Sequence, residues 1–333
     1  MPGPSVLHDF NHARFVPGAG GFYESWFQRA NHPSQPLAFW IRYTVFSPAS
    51  DPNAAIGELW AVRFDSRAGH SAAKSEWPLA RSRFSRDRLD VQIGESVLAD
   101  GKLRGAANSG GRRIAWDLGY EGGQGPLLLM PPGLYARGFP RAKSLVGVPN
   151  CIYRGWIEVD GQRTAVDGWQ GSQNHNWGVR HTDAYAYGQV CGFDDAADSF
   201  LEVATGRLRI GPWWTPRMTP VVLRHAGREY AFNSLLQSTL RARGRYGLFH
   251  WDFASKQGAV RIEGRIEAPR EAFIGLRYAN PPGGSKHCLN TKLARCELRL
   301  RQEDGREVIL RAEQRAAFEI LTDDPGHGVA IRA

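Results

Sequence analysis

GSQNHNWGVRHTDAYAYGQ, running from Gly171 to Gln189, is the stretch whose reading decides the fold. Its odd-numbered positions carry Gln173, His175, Trp177, His181, Asp183, Tyr185, Tyr187 and Gln189. On an extended chain, side chains two apart share a face. Asp183, Tyr185, Tyr187 and Gln189 then project to one side, and Thr182, Ala184, Ala186, Gly188 and Val190 to the other. The second set is small and mostly apolar, as a strand needs where it packs against other protein. The first is large, aromatic and polar, which suits the lining of a barrel better than a solvated sheet surface. The expectation is a strand that lines a binding cavity.

Working outward, short extended segments separated by turn signals recur along the chain. Leu37 to Phe46 precedes a Pro/Ser/Asp-rich turn, and Gly57 to Asp65 alternates Glu58, Trp60, Val62 and Phe64 against Leu59, Ala61 and Arg63. Leu89 to Ile93, Leu98 to Gly101, Arg112 to Leu118 and Ile152 to Val159 continue the pattern, the last ending at Asp160-Gly161. A proline-rich stretch from Pro126 to Pro149 reads as a linker or a loop across a barrel mouth. Strand patterns resume at Tyr185 and continue to Val329–Arg332; only Thr291 to Leu298 and Arg311 to Phe318 could hold a short helix, the latter fitting a strand equally well. The pattern predicts an all-β protein of two consecutive lipocalin-like antiparallel β-barrels with few short helices, divided as residues 1–165 and 166–333.

Composition agrees with a folded, sheet-rich chain. Of 333 residues, 42% are hydrophobic and 23% charged, with 11 Trp, 10 Tyr and 16 Phe. The formal charge of +9 comes from scattered Arg rather than from a basic run, so nucleic-acid binding is not expected, while an acidic ligand stays open. Cys151, Cys191, Cys288 and Cys296 lack CxxC spacing and residues 1–15 hold no signal-peptide-like apolar stretch, which predicts a cytoplasmic protein with reduced thiols. No segment approaches 18 consecutive apolar residues, leaving peripheral membrane contact open but no membrane-spanning helix.

Several chemistries find little support. His175, His181 and Asp183 could ligate a metal, but their spacing fits no recognised pattern, and His175 reads equally well as ordering a tight turn. Asn280 to Lys292 lacks phosphate-loop spacing and reads as a turn with Lys286 at its tip. Cys288 beside His287 would point away from it on a strand, and Ser172 lies outside a nucleophile elbow. No cofactor and no metal are expected. Asp183 is the more interesting group: in an aromatic cavity, desolvation would raise its pKa into general-acid range, and Glu202 on the following strand is a second candidate. Both could instead be paired with Arg180, Arg207 or Arg209 in purely structural ion pairs.

The segments GWQGSQNHNWG and HTDAYAYGQVCGFD resemble the HxWG region of the two-barrel, lipocalin-like superfamily that includes carotenoid 1,2-hydratase and tocopherol cyclase. His175, Trp177 and Gly178 match the motif, whereas Asn174 stands where many members have Asp. The resemblance implies paired barrels around a hydrophobic small molecule and cofactor-free isomerising, cyclising or hydrating activity. Joined to the residues, it gives a concrete expectation. Asp183 or Glu202 protonates an alkene of a polyene, prenyl or polyketide-like substrate near the domain junction, Tyr185, Tyr187 and Trp177 stabilise the cation, and Gln173, Gln189 and His175 orient the polar end, with His181 beside them. The alternative is a non-catalytic carrier of a hydrophobic or weakly acidic metabolite, which needs the cavity but no poised acid. A basic surface for an acidic partner is a third possibility; oligomeric state is not legible.

Overall fold

The structure is a computed structural model and describes residues 10–333. Its regular structure is nearly all β, and it forms two nearly closed antiparallel barrels. The first, a 12-stranded sheet, runs from Ser71–Pro78 through Ile56–Asp65, Leu37–Ser47 and Phe22–Asn31 to Gln162–Gly178, then through Ala142–Val159 and Arg112–Glu121 to Ser82–Phe84. In the second, a 10-stranded sheet, Arg228–Phe232, Val221–His225, Ala196–Arg207 and Ala184–Phe193 lead to Glu307–Thr322, Ser285–Arg301 and Val260–Glu267, ending at Ala242–Tyr246.

The two barrels share one plan. In each, a four-stranded meander comes first, and its first strand pairs with the last long strand: Trp26 opposite His175 in one, Tyr187 opposite Glu319 in the other. In each, the seam falls after the fourth strand of that meander. At the first seam Asn108 N donates to Ser75 Oγ at 2.7 Å, which helps to draw the edges together. At the second, a π-helical turn, Gln237–Arg241, occupies the gap. The halves are alike in topology although no sequence repeat is visible.

Each barrel interior is filled with side chains. Trp26, Phe39, Ile41, Tyr43, Trp116 and Tyr153 belong to the first core, and Ala186, Val190, Trp251, Phe253, Ile266 and Phe318 to the second. Burying such aliphatic and aromatic side chains stabilises by about 1.5–3 kcal/mol each. A third cluster lies between the barrels, where the outer faces of Leu37–Ser47 and Ile56–Asp65 meet the second barrel: Trp40, Trp60, Val62 and Phe64 pack with Ile274, Leu276, Tyr278 and Leu321. Sequence strands buried on both faces follow from this. Leu59 and Ala61 serve the first core while Trp60 and Val62 serve the junction.

The structure departs from the sequence reading in definite places. Thr291–Leu298 and Arg311–Phe318 are strand, not helix, inside Ser285–Arg301 and Glu307–Thr322. His175 sits in the long Gln162–Gly178 strand rather than in a tight turn. The chain leaves the first sheet at Gly178 and enters the second at Ala184, beyond the division placed at 165/166. Lys286 is not at an exposed tip: it is buried, with Nζ donating to the Asp183 carbonyl at 2.8 Å and to Asp323 at 2.7 Å. Most of residues 1–15, where no signal-peptide-like stretch was read, lies outside the described residues. Among the described residues no helix is long and apolar enough to cross a membrane.

Candidate functional site

The alternation in Ala184–Phe193 is real, but its two faces have exchanged environments relative to expectation. The small face points into its own barrel: a Cβ on Gly188 would come within 2.5 Å of Ile266 Cδ1 and 3.0 Å of Trp251. The aromatic face looks outward, toward the first barrel. Tyr185 and Tyr187 therefore line a cavity between the barrels and not inside one. Its volume is about 220 Å³.

Three walls enclose it. The first barrel supplies Tyr23, Phe27, Trp40, Arg42 and Asn176; the second supplies His181, Tyr185, Tyr187, Ala204, Tyr278 and Glu319. The proline-rich stretch closes one side with Leu129, Met130, Leu134, Phe139 and Pro140, as a wall of the inter-barrel cavity and not a loop across a barrel mouth, and from Ala142 onward it is strand. At the second-barrel seam, Asn233, Leu235 and Ser238 complete the enclosure. Phe139 and Leu235 are exposed, as are Ile210, Trp213, Trp214, Leu236 and Leu240 on the segments that continue from the wall residues Leu208 and Leu235.

Behind the second-barrel wall stands a buried acid. Glu202 is fully buried, and its Oε2 accepts from the Tyr187 hydroxyl at 3.2 Å and from Gln189 Nε2 at 2.9 Å. Its Oε1 has no partner. Burial disfavours the carboxylate and pushes its pKa up to about 8, against the opposing hydrogen bonds from Gln189 and Tyr187. Burial likewise raises the Tyr187 phenol well above its ordinary value. Both groups hold their protons at neutral pH. Tyr187 faces the cavity on one side and this acid on the other.

The network continues across the junction. Gln189 Nε2 also donates to Asn174 Oδ1 at 2.8 Å, and Gln189 Oε1 accepts from Ser172 Oγ at 2.7 Å. Arg29, fully buried on the first barrel, donates to the Gln189 carbonyl at 3.4 Å and to the Arg315 carbonyl at 2.9 Å. Asn174 thus belongs to the contact between barrels, on the strand face opposite His175.

A second acid lies in the wall itself. Glu319 Oε1 accepts from Lys292 Nζ at 2.7 Å and from Asn290 Nδ2 at 3.1 Å. Burial pulls the Lys292 pKa down and Glu319 pulls it back up. His181, in the wall, stacks on Tyr23 with ring centres 4.1 Å apart, and its Nε2 meets the Ala279 carbonyl at 3.1 Å. A carbonyl can only accept, so Nε2 carries the proton. Burial, helped by Arg42, pushes the His181 pKa down to about 3, and the ring is neutral.

Of the residues singled out from sequence, His181, Tyr185 and Tyr187 line the cavity, and Gln189 and Glu202 stand directly behind it. Gln173, His175 and Trp177 point the other way, into the first barrel and its entrance. His175 Nε2 lies 2.8 Å from Glu24 Oε1, and its ring stacks against Trp26 and Trp177, each at 4.8 Å. Gln173 accepts from Asn11 at 2.7 Å. Asp183 is outside the cavity wall, held by the Arg180 guanidinium and by the Arg209 amide at 2.8 Å. That is the structural ion pair weighed against catalysis. His175 and His181 serve different sites, and among the described residues no three His, Cys, Asp or Glu side chains gather as a metal would require.

Sequence reading missed Tyr23, Phe27, Trp40, Arg42, Tyr278 and Glu319. One signal was available: Arg42 is the only charged residue in LAFWIRYTVF, a run otherwise suited to burial.

Two filled, nearly closed barrels with an aromatic cavity and buried acids between them define a two-barrel protein of the lipocalin-like kind. The profile of the tocopherol cyclase-like family matches residues 145–320, and the chain belongs to that family. Uncharacterized proteins from two strains of Mycobacterium tuberculosis are each 25% identical over 297 residues, 85% of this chain and 82% of theirs. Among solved structures, kievitone hydratase from Nectria haematococca superposes with a TM-score of 0.60 at 11% identity, covering 97% of this chain and 94% of that one. CghA with Sch210972 gives 0.55 at 12% identity, covering 94% and 96%. These likenesses establish the shared fold.

Proposed function

We propose that the protein is a cofactor-independent enzyme that takes a hydrophobic, unsaturated small molecule into the inter-barrel cavity and hydrates, cyclises or isomerises it by proton transfer. The observation that carries this reading is the Tyr187–Glu202 pair: a neutral carboxylic acid in contact with a phenol that opens on an aromatic cavity. Polyene, prenyl and polyketide-like molecules are the substrate classes that fit. The fold kinship with a protein named as a hydratase supports the reading without assigning a reaction.

The Tyr187 hydroxyl, which donates to Glu202 in the unliganded protein, turns toward the cavity and passes its proton to an alkene carbon of the bound molecule, while the protonated Glu202 turns donor and replaces that proton at the phenol oxygen. The carbocation lies against the faces of Tyr185, Tyr278 and Trp40, whose π density stabilises it. Water or a hydroxyl of the substrate itself then forms the new bond to carbon. The proton it releases returns to Glu202, so the enzyme ends as it began. Glu319 supplies a charged edge to the same wall, fixed by Lys292. The exposed apolar rim of Phe139, Leu235 and Trp213 supports uptake of a hydrophobic molecule, including from a membrane surface.

Incubation in D₂O with a panel of prenylated phenols and polyenes tests the proposal by mass spectrometry. A product carrying one carbon-bound deuterium per turnover is expected with the wild type and not with Glu202→Gln. Panel members that bind, yet are recovered unchanged and unlabelled from both proteins, would make the chain a carrier.

A further inference from the structure

Arg42 is a charged group in the cavity wall that no ion pair with a described residue neutralises; only the more distant field of Glu58 and the facing phenols favour its charge. It lies on the outer face of Leu37–Ser47, 5% exposed, with its guanidinium carbon 4.7 Å from the centre of the Tyr278 ring. Neither a hydrogen bond nor an ion pair ties it to another described residue, and its Nε is buried without an acceptor. Glu58, the acid whose field reaches Arg42, is already engaged by Lys74 at 2.7 Å and by the Trp60 indole at 3.3 Å. The remaining neighbours are neutral: burial raises the phenols of Tyr23, Tyr185 and Tyr278, and His181 is uncharged. A buried cation without a partner is strongly unfavourable. A fold keeps one where a ligand supplies the missing charge.

The balance of charge in the rest of the wall does not answer Arg42. Among the described residues Lys143 donates only to the Pro140 carbonyl, at 2.9 Å, while the carboxylate of Glu319 is paired with Lys292. The planar guanidinium fork matches a carboxylate in two-point pairing. Tyr185 faces Arg42, and Tyr187 follows two residues along the same strand face, about 7 Å further on. That is the length of a small unsaturated skeleton.

We propose that Arg42 is the anion-binding residue of the cavity and that its ligand is an apolar, unsaturated carboxylate, anchored at Arg42 with its hydrocarbon body along Trp40 and Tyr185 toward Tyr187. This rests on reading the cavity as the substrate site and names the substrate class.

Calorimetric titration with 2-naphthoate and its neutral isostere 2-naphthamide separates the two claims. Wild type should prefer the carboxylate by about ten- to a hundredfold. Arg42→Met should abolish the preference while leaving amide affinity unchanged, Arg42→Lys should keep part of it, and Lys143→Met should keep most. Equal affinity for both probes in the wild type, or a preference that survives Arg42→Met, overturns the role of Arg42 and leaves the cavity intact as a site. Binding of neither probe removes both. The melting temperature of Arg42→Met adds an independent readout: it should equal or exceed that of the wild type, because no ion pair or hydrogen bond is lost and release of the buried charge offsets the lost contact with the Tyr278 ring. A marked fall would show that the protein itself holds Arg42, and would overturn the assignment.

Discussion

The hydroxyl of Tyr187 stands 3.2 Å from Oε2 of Glu202, with the cavity on the tyrosine's other side. The pair spans neighbouring strands of one sheet, where Tyr187 lies opposite Ala204 and Glu202 opposite Gln189. Because strand side chains alternate, the outward face of Ala184–Phe193 delivers Tyr187 and Gln189 together to the same acid. The protein thereby keeps a proton donor behind its cavity wall, out of contact with water.

Glu202 makes stability and activity depend on pH in a defined direction. Its pKa is about 8 in the folded chain and near the ordinary 4.5 when unfolded. Between these values the folded state holds a proton that the unfolded state has released, so stability falls as pH rises through the window. The contribution is full below 4.5 and lost above about 8. Relative to Glu202→Gln, which has no such proton, the wild type should lose on the order of a few kcal/mol between pH 5 and 8 in urea titrations. Turnover of any substrate that needs the acid should fall through the same upper limit.

Tyr187→Phe removes the phenol oxygen and keeps the ring. Loss of general-acid delivery should lower kcat by about 10²–10⁴, whereas loss of one buried hydrogen bond should lower stability by only about 1 kcal/mol. KM should change little, because the aromatic wall remains. Stopped-assay kinetics and thermal melts on the same preparation check both halves.

Lys292 and Glu319 form a buried ion pair in which each is the other's main counter-charge. Lys292→Met alone should cost about 3–5 kcal/mol by leaving Glu319 uncompensated. Adding Glu319→Leu should recover most of that loss, giving a coupling of about 2 kcal/mol or more in a double-mutant cycle. Additive losses would mean that the pair does not interact in solution.

Much of the fold was legible because alternation is a local property. Gly57 to Asp65 and Tyr185 to Phe193 each show their period directly. The location of the cavity was not, since period 2 says which residues share a face and not what that face meets. Both faces of Ala184–Phe193 are buried, one by its own barrel and one by the other, so the larger face read as a barrel lining when it is a junction. The same ambiguity hid the strand FYESWFQRAN, whose faces are both buried and whose Glu24, Gln28 and Arg29 look like surface residues in sequence. The HxWG motif led to His175 and Trp177, but the side chains of that strand that reach the junction are their alternates, Ser172, Asn174 and Asn176.

That alternation yields a last prediction, on His175. Its two nitrogens meet Glu24 and the Phe10 carbonyl, and Glu24 in turn accepts from the amides of Arg14 and Phe15 at 2.8 Å. The histidine is thus a clamp that holds the segment before the first strand across the end of the first barrel, on the far face from Glu202. His175→Ala should open a void between Trp26 and Trp177 and leave the buried Glu24 without its imidazole, a loss of about 3–5 kcal/mol. Protein that remains folded should keep its kcat, in contrast to Tyr187→Phe, which keeps its stability and loses turnover. Measuring specific activity against the folded fraction from circular dichroism separates the two behaviours. A His175→Ala protein that is stable but inactive would place the motif histidine in the chemistry and remove it from the clamp.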